Sequence, residues 1–294
     1  MVANHPRLLV AAVAVLWGSV GVIVREVPLP ATAIVACRVW LAAASLGAWV
    51  WLARRGTPGA VRQRPARTVA GGVVLAVHWV LLFAALKRAP IGTVLLLTYL
   101  APVGLAAVAP RALGERLTRR TAVALLVAFG GLVLVARPAL DGAQGAGVAM
   151  ALGAAALYVV FVVLGKPLSE VYGGERLAFT QLVVAGIVLV PLAAGAEWGE
   201  PEASWAWLVV LGVAHTAAGI GVFMWALARL PATELGVLSY LEPASAVVFG
   251  WLFLAEAPGP ATLGGGALIV AGGWIVATAG RTGTAPVEVA RVPR

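Results

Sequence analysis

Charge is scarce in this chain. Of its 294 residues only 11% are Asp, Glu, Lys or Arg, while 62% are hydrophobic and the mean hydropathy is +0.98. Ordinary soluble domains carry about 25% charge, so the balance excludes that class and indicates a polytopic membrane protein. Cysteine is nearly absent: Cys37 stands alone inside an apolar run, which excludes a disulfide framework and a thiolate metal cluster. Three histidines and one aspartate, Asp141, leave little for metal chemistry, and neither a metal nor a cofactor is expected. No G-x-x-x-x-G-K-[ST] loop occurs, so ATP is not the expected driver. H-E-x-x-H, G-x-S-x-G and clustered acids are likewise missing, which leaves an intramembrane enzyme acting on lipid or lipid-linked substrate as the weaker alternative.

What the chain has instead is long apolar runs. Ten approach membrane length: residues 8–24, 31–52, 68–86, 91–109, 120–136, 146–164, 177–194, 205–227, 232–254 and 262–279. The first lacks an A-x-A-like cleavage site and reads as a retained helix. Links such as Lys87 to Pro90 and Ala228 to Pro231 are short, and the longest polar connection, Ala53 to Arg67, is basic. With the N-terminus inside, 16 Lys and Arg fall on the inner side and four on the outer, with Arg38 inside a span. This satisfies the positive-inside rule with both termini cytoplasmic in a plasma (inner) membrane. The net charge of +9 is then a topology signal, because basic residues scattered over loops do not form a nucleic-acid face. Trp49, Trp51, Trp198, Trp205 and Trp207 sit near span ends, as an interfacial aromatic belt requires.

The chain also repeats itself. Residues 83–136 laid over 224–277 without a gap give 14 identities in 54 positions. Ala, Leu and Val matches are cheap in this composition, but Arg88/Arg229, Pro90/Pro231, Tyr99/Tyr240, Pro102/Pro243, Glu115/Glu256, Thr121/Thr262 and Gly131/Gly272 all keep the same 141-residue offset. The expected division is 1–141 as a first five-helix repeat and 142–294 as a second with a short cytoplasmic tail. Five is odd, so the second repeat enters the membrane from the opposite side. The fold class is all-α integral membrane, ten transmembrane helices in two inverted five-helix repeats, an arrangement that supports alternating access in secondary transporters.

Pro102 and Pro243 in the fourth helix of each half, with Leu113-Gly114-Glu115-Arg116 and Leu254-Ala255-Glu256 closing it, resemble the drug/metabolite transporter (DMT) superfamily, specifically its EamA-type members. The resemblance covers essentially the whole chain. It implies a ten-helix carrier, often an exporter of amino acids, related metabolites or drugs, with a central cavity lined by both halves. The Glu242-Pro243 pair is similar to the second-half pattern of many members, whereas Ala101-Pro102 lacks the carboxylate, leaving at most one acidic coupling site.

Two full charges fall well inside the spans, away from their ends. Glu242 lies about the eleventh residue into a 23-residue run, ~15 Å deep at 1.5 Å per residue, beside a proline that frees a backbone carbonyl and opens a kink. An ionisable group at that depth costs roughly 2.5 to 3.5 kcal/mol on insertion scales, so it marks a proton or cation site unless it is a fixed ion-pair partner or stays protonated. Arg38 can hold a substrate carboxylate bidentately, pair with Glu242, or snorkel to the outer headgroups. His78 and His215 lie mid-span; each can relay protons, or sit neutral with one interhelical hydrogen bond. Trp17, Tyr99, Tyr158, Trp225 and Tyr240 line a cavity or fill the bundle. Glu115 and Glu256 read as capping or packing residues at helix ends. The expected partners are a small-molecule substrate and the lipid bilayer, with a monomer and a homodimer both compatible.

Overall fold

The computed structural model describes residues 5–53, 64–89, 91–136, 145–196, 198, 204–254 and 257–278. Asp141, Glu256, most of the basic loop after Ala53 and the C-terminal tail lie outside the described residues. Every regular element among the described residues is helical. In lipid a backbone amide has no water to bond, so a chain this apolar must satisfy its polar groups within helices.

The elements in order are α1 (His5–Trp17), α2 (Val20–Glu26), α3 (Ala31–Leu52), α4 (Pro65–Leu86), α5 (Ile91–Thr98), α6 (Ala101–Ala112), α7 (Arg119–Ala136), α8 (Gly145–Tyr172), α9 (Gly174–Ala194), α10 (Trp205–Val210), a π-helical turn (Leu211–Ala218), α11 (Gly219–Leu227), α12 (Ala232–Ser239), α13 (Leu241–Leu254) and α14 (Pro260–Ala277). Seven helical stretches among the described residues are long and apolar enough to cross a membrane: 6–24, 31–52, 65–86, 145–172, 174–194, 205–227 and 232–253. The expected ten also count 91–109, found as α5 and α6 with a break at Tyr99–Leu100, and α7 and α14, which at 18 residues each sit at the short end for a span. The sixth run extends past the expected residue 164 to Tyr172. Lys166 need not end it, because its Nζ donates to the carbonyls of Leu227 (2.7 Å) and Leu230 (3.0 Å) at the close of α11.

Proline places two breaks. Pro102 stands in the first turn of α6 and Pro243 in the first turn of α13. Each lacks an N–H and its ring crowds the carbonyl four residues back, at Thr98 and Ser239, which are the last residues of α5 and α12. The kink expected beside Glu242 falls at Tyr240, a single residue between α12 and α13 whose backbone stays in the helical region, and Glu242 stands in the opening turn of α13, where the dipole favours an anion. A third break, at Gly18–Ser19, separates α1 from α2. A Cβ on Gly18 would meet the Ala246 amide at 2.7 Å and the Glu242 carbonyl at 2.8 Å, so only glycine lets these two broken helices touch backbone to backbone.

α7 packs along α14, α4 along α8 and α9, and α3 along α9 and the π-helical turn. The α7–α14 contact is reciprocal in the offset positions. Gly131 lies against the carbonyl of Gly265, and Gly272 against the carbonyl of Ala124 and the Ala128 side chain, where added Cβ atoms would collide. Small residues here permit close helix approach in lipid. The outer surface carries Leu126, Leu252, Phe253 and Trp274, an apolar exterior suited to acyl chains, and Trp49, Trp51, Trp198, Trp205 and Trp207 are exposed at helix ends.

Candidate functional site: a central cavity

The breaks surround a cavity of about 160 Å³, lined from α1, α2, α3, α4, α5, α6, α8, α11, α12 and α13. A single water needs only about 10–15 Å³ on this kind of measure, so this is a solute-sized space rather than a packing defect. Its walls are mostly apolar, with Leu75, Leu82, Leu86, Leu95, Phe161 and Ile220 among them. Arg38 and Glu242 both line it.

Arg38 is 5% exposed, which removes the snorkelling alternative. Its Nε donates to Thr216 Oγ1 at 3.0 Å, and its guanidinium carbon lies 4.7 Å from the Trp79 ring centre and 5.2 Å from that of Phe83. Among the described residues it forms no ion pair with Glu242. Glu242 has the Tyr99 side chain beside its carboxyl, and Arg38 acts on it through space. The two charges therefore share a chamber without neutralising each other by contact.

The remaining sequence candidates divide. Trp17, Tyr99, His78, Pro102 and Tyr158 line the cavity. The Trp17 indole donates to the His215 carbonyl at 2.7 Å. His78 Nδ1 lies 2.8 Å from the Ala154 carbonyl, which can only accept, so Nδ1 carries a proton; its ring packs on Tyr158 at 5.9 Å. Tyr240 and His215 do not line the cavity. Tyr240 is fully buried, with its hydroxyl donating to the Tyr99 carbonyl at 2.9 Å and its ring 5.6 Å from the Tyr99 ring, so the offset pair meets at the two helix breaks. His215 lies in the π-helical turn, Nε2 2.8 Å from Ser19 Oγ and Nδ1 3.1 Å from the Val210 carbonyl, fastening that turn to the break in the first span. Pro243 stands beside Glu242 in α13 and is not a cavity wall. Among the described residues no group of three or more His, Cys, Asp or Glu is placed to hold a metal ion.

Several lining residues escaped the sequence reading. Thr98 and Ser239 occupy the same offset position, directly before Tyr99 and Tyr240, and both face the cavity. The Ser239 hydroxyl donates to the Leu235 carbonyl at 2.9 Å, whereas the Thr98 hydroxyl is buried with no protein partner. The 141-residue offset that marks the tyrosines also marks this pair; they went unnoticed because a hydroxyl is not costly enough in a membrane to stand out.

Toward the end that carries Arg7, no residue of α1 before Trp17 and none of α12 before Ser239 lines the cavity. Arg7 and Glu234, 5% and 6% exposed, pair across 2.9 and 3.0 Å, joining α1 to α12. Glu115, from the α6–α7 turn, accepts from the Ala232 amide at 2.7 Å and the Thr233 amide at 3.4 Å, capping α12. Toward the opposite end the lining continues to Leu86, the last residue of α4, and to Leu95 in α5.

The EamA-like transporter family matches residues 7–137 and again residues 145–278. The chain belongs to the EamA-like transporter family. It is 31% identical over 214 residues, 72% of each chain, to a protein of Streptantibioticus cattleyicolor named "Probable terminal-alkyne amino-acid exporter". It is 36% identical over 122 residues, 40% of each chain, to the threonine/homoserine exporter RhtA of Escherichia coli K12. A Bacillus subtilis transporter, YxxF, is 26% identical over 251 residues, 83% of this chain and 80% of the relative. A crystal structure superposes with TM-score 0.78 at 23% identity, covering 92% of this chain and 95% of the other, which shows the fold. The chain is thus a multi-pass membrane transporter, and membership in a family of transporters removes the intramembrane-enzyme alternative.

Proposed function

We propose that this chain is a secondary carrier that exports amino acids or closely related zwitterionic solutes by alternating access. The observation that carries the reading is the shared chamber: Arg38 and Glu242 line one largely apolar cavity without an ion pair between them. A guanidinium held edge-on presents a planar fork for a carboxylate, and a carboxylate across the chamber receives an ammonium or a proton. Apolar walls accommodate the solute's body. Relatives named as amino-acid and threonine/homoserine exporters support this substrate class.

Alternating access is supported by the uneven closure of the bundle. If the basic loops are cytoplasmic, the Arg7–Glu234 pair and the Glu115 cap seal the cytoplasmic side, and the cavity faces outward. The inverted repeat puts the counterparts of Arg7 and Glu234 at Val148 and Thr93, which cannot form an ion pair. One of the two states then has an ionic latch and the other lacks it. In this reading Glu242 releases or takes up a proton as the cavity changes sides, coupling solute export to the proton gradient.

The test is transport in liposomes holding the purified full chain and an internal pH dye. Labelled amino acids should move unchanged, with a linked proton flux that Glu242→Gln removes. Solute movement with no proton flux in either protein defeats the coupling; movement of non-zwitterionic solutes alone defeats the substrate class.

A further inference from the structure

We infer that Thr216 is the positioning residue for Arg38, and that the π-helical turn Leu211–Ala218 is the local device that aims it. This rests on the reading of Arg38 as the carboxylate site and says what makes that site selective.

The hydrogen bonds fix their own directions. A guanidinium has no acceptor, so Arg38 Nε donates to Thr216 Oγ1 at 3.0 Å. A carbonyl has no proton, so the Thr216 hydroxyl donates to Leu211 O at 2.7 Å. That bond reaches five residues back, the spacing of a π-turn, where a regular α-helix would offer the carbonyl three or four back. With its only proton committed to Leu211, the hydroxyl is left as an acceptor toward Arg38. Trp79 and Phe83 set the plane of the guanidinium, at 4.7 and 5.2 Å from its carbon. The Nε edge and the faces are thus occupied. The two terminal nitrogens have no protein partner among the described residues, yet they are not among the sealed, unpartnered polar atoms, so they open to the cavity. Two parallel N–H donors fit the two oxygens of a carboxylate.

The arrangement is confined to one half. At the 141-residue offset Arg38 corresponds to Phe179 and Thr216 to Leu75, and the stretch equivalent to the π-turn, residues 70–77, is regular helix inside α4. The bundle's architecture does not need a polar pair or a π-turn there, since the other half does without both. π-turns inside α-helices are rare and concentrate at functional sites.

The experiment compares wild type, Arg38→Ala, Thr216→Val, Thr216→Ala and Thr216→Ser in proteoliposomes given a mixture of the twenty labelled common amino acids, with the corresponding amino-acid amides as competitors. Expected is a rise in KM of about tenfold or more in Thr216→Val with Vmax within about twofold, and recovery in Thr216→Ser, which keeps the hydroxyl. Amides should compete poorly with wild type, and that discrimination should fade in Thr216→Val. Thr216→Ala relieves crowding if valine prevents folding, and is expected to behave as valine does. If Arg38→Ala loses transport while both hydroxyl-free variants match wild type, the positioning role is overturned and the carboxylate site stands. If Arg38→Ala transports as wild type does, the carboxylate reading itself falls. If wild type carries none of the mixture, the amino-acid reading falls, and the guanidinium ¹⁵Nε–Hε resonance, assigned by its loss in Arg38→Lys, decides positioning. A resonance unchanged in Thr216→Val overturns the inference; exchange broadening reversed in Thr216→Ser supports it.

Discussion

Arg7→Met should open the bundle at the end this residue helps to close. Its guanidinium gives Glu234 two contacts to one carboxylate oxygen, at 2.9 and 3.0 Å, and both side chains are almost inaccessible. Removing one partner of a buried pair strands the other, at about 3–5 kcal/mol. If the opposite state hydrates both groups, that penalty falls on the closed state alone and moves the equilibrium by roughly 10²- to 10⁴-fold at 1.36 kcal/mol per decade. Pulsed electron paramagnetic resonance can read it, with spin labels at Leu117 and Arg229 in a Cys37→Ala background. Leu117 lies in the α6–α7 turn and Arg229 in the α11–α12 turn, both exposed at this end. The single variant should shift the distances toward a separated population. The double variant Arg7→Met/Glu234→Met should not, because apolar replacement of a whole buried pair is commonly neutral or stabilising. A single variant with unchanged distances, or a double variant that opens as far as the single, refutes the latch.

Three further outcomes are expected. Glu115→Ala uncaps α12 and should lower stability by about 0.5–2 kcal/mol, seen as a reduced Tm of the detergent-solubilised protein, with the Arg7–Glu234 pair intact. Tyr240→Phe leaves the Tyr99 carbonyl at the helix break without its donor and should destabilise by about 1–3 kcal/mol while solute KM stays near wild type, since Tyr240 does not line the cavity. Gly18→Ala forces a Cβ against the backbone of Glu242 and Ala246 and should cost about 1–3 kcal/mol through overpacking, visible as poor yield of monodisperse protein; a normal yield and Tm contradict the close approach.

The sequence exposed what membrane energetics makes conspicuous. Glu242 and Arg38 stand out because a charge in a span is costly, and both line the cavity. The apolar runs fall within a few residues of the helices, apart from the extension of α8. Less visible was anything that depends on local hydrogen-bond register. Pro243 suggested a kink, but the interruption falls at Tyr240, because a proline acts on the carbonyl four residues back. The π-turn leaves no compositional mark, so Thr216 looked like any small polar residue in a helix. By sequence Arg7 is one inner-side cation among many, since its partner lies 227 residues away and Glu234 falls at the edge of an apolar run. Tyr240 matches Tyr99 in sequence, yet Tyr99 lines the cavity and Tyr240 is buried outside its lining, bonded to the Tyr99 carbonyl, a difference that repeat identity alone does not reveal.

In the proposed cycle one chamber, with Arg38 on one wall and Glu242 on another, carries a zwitterionic solute across the membrane. Counterflow tests it most directly: liposomes preloaded with unlabelled amino acids, labelled amino acids added outside, and wild type compared with Arg38→Ala. Counterflow can proceed without a proton gradient, so it isolates the solute site from coupling. Label should accumulate in wild type and fail to accumulate in Arg38→Ala, with amino-acid amides unable to replace the preload. Equal accumulation in both proteins, or amides that serve as well as the amino acids, would contradict it.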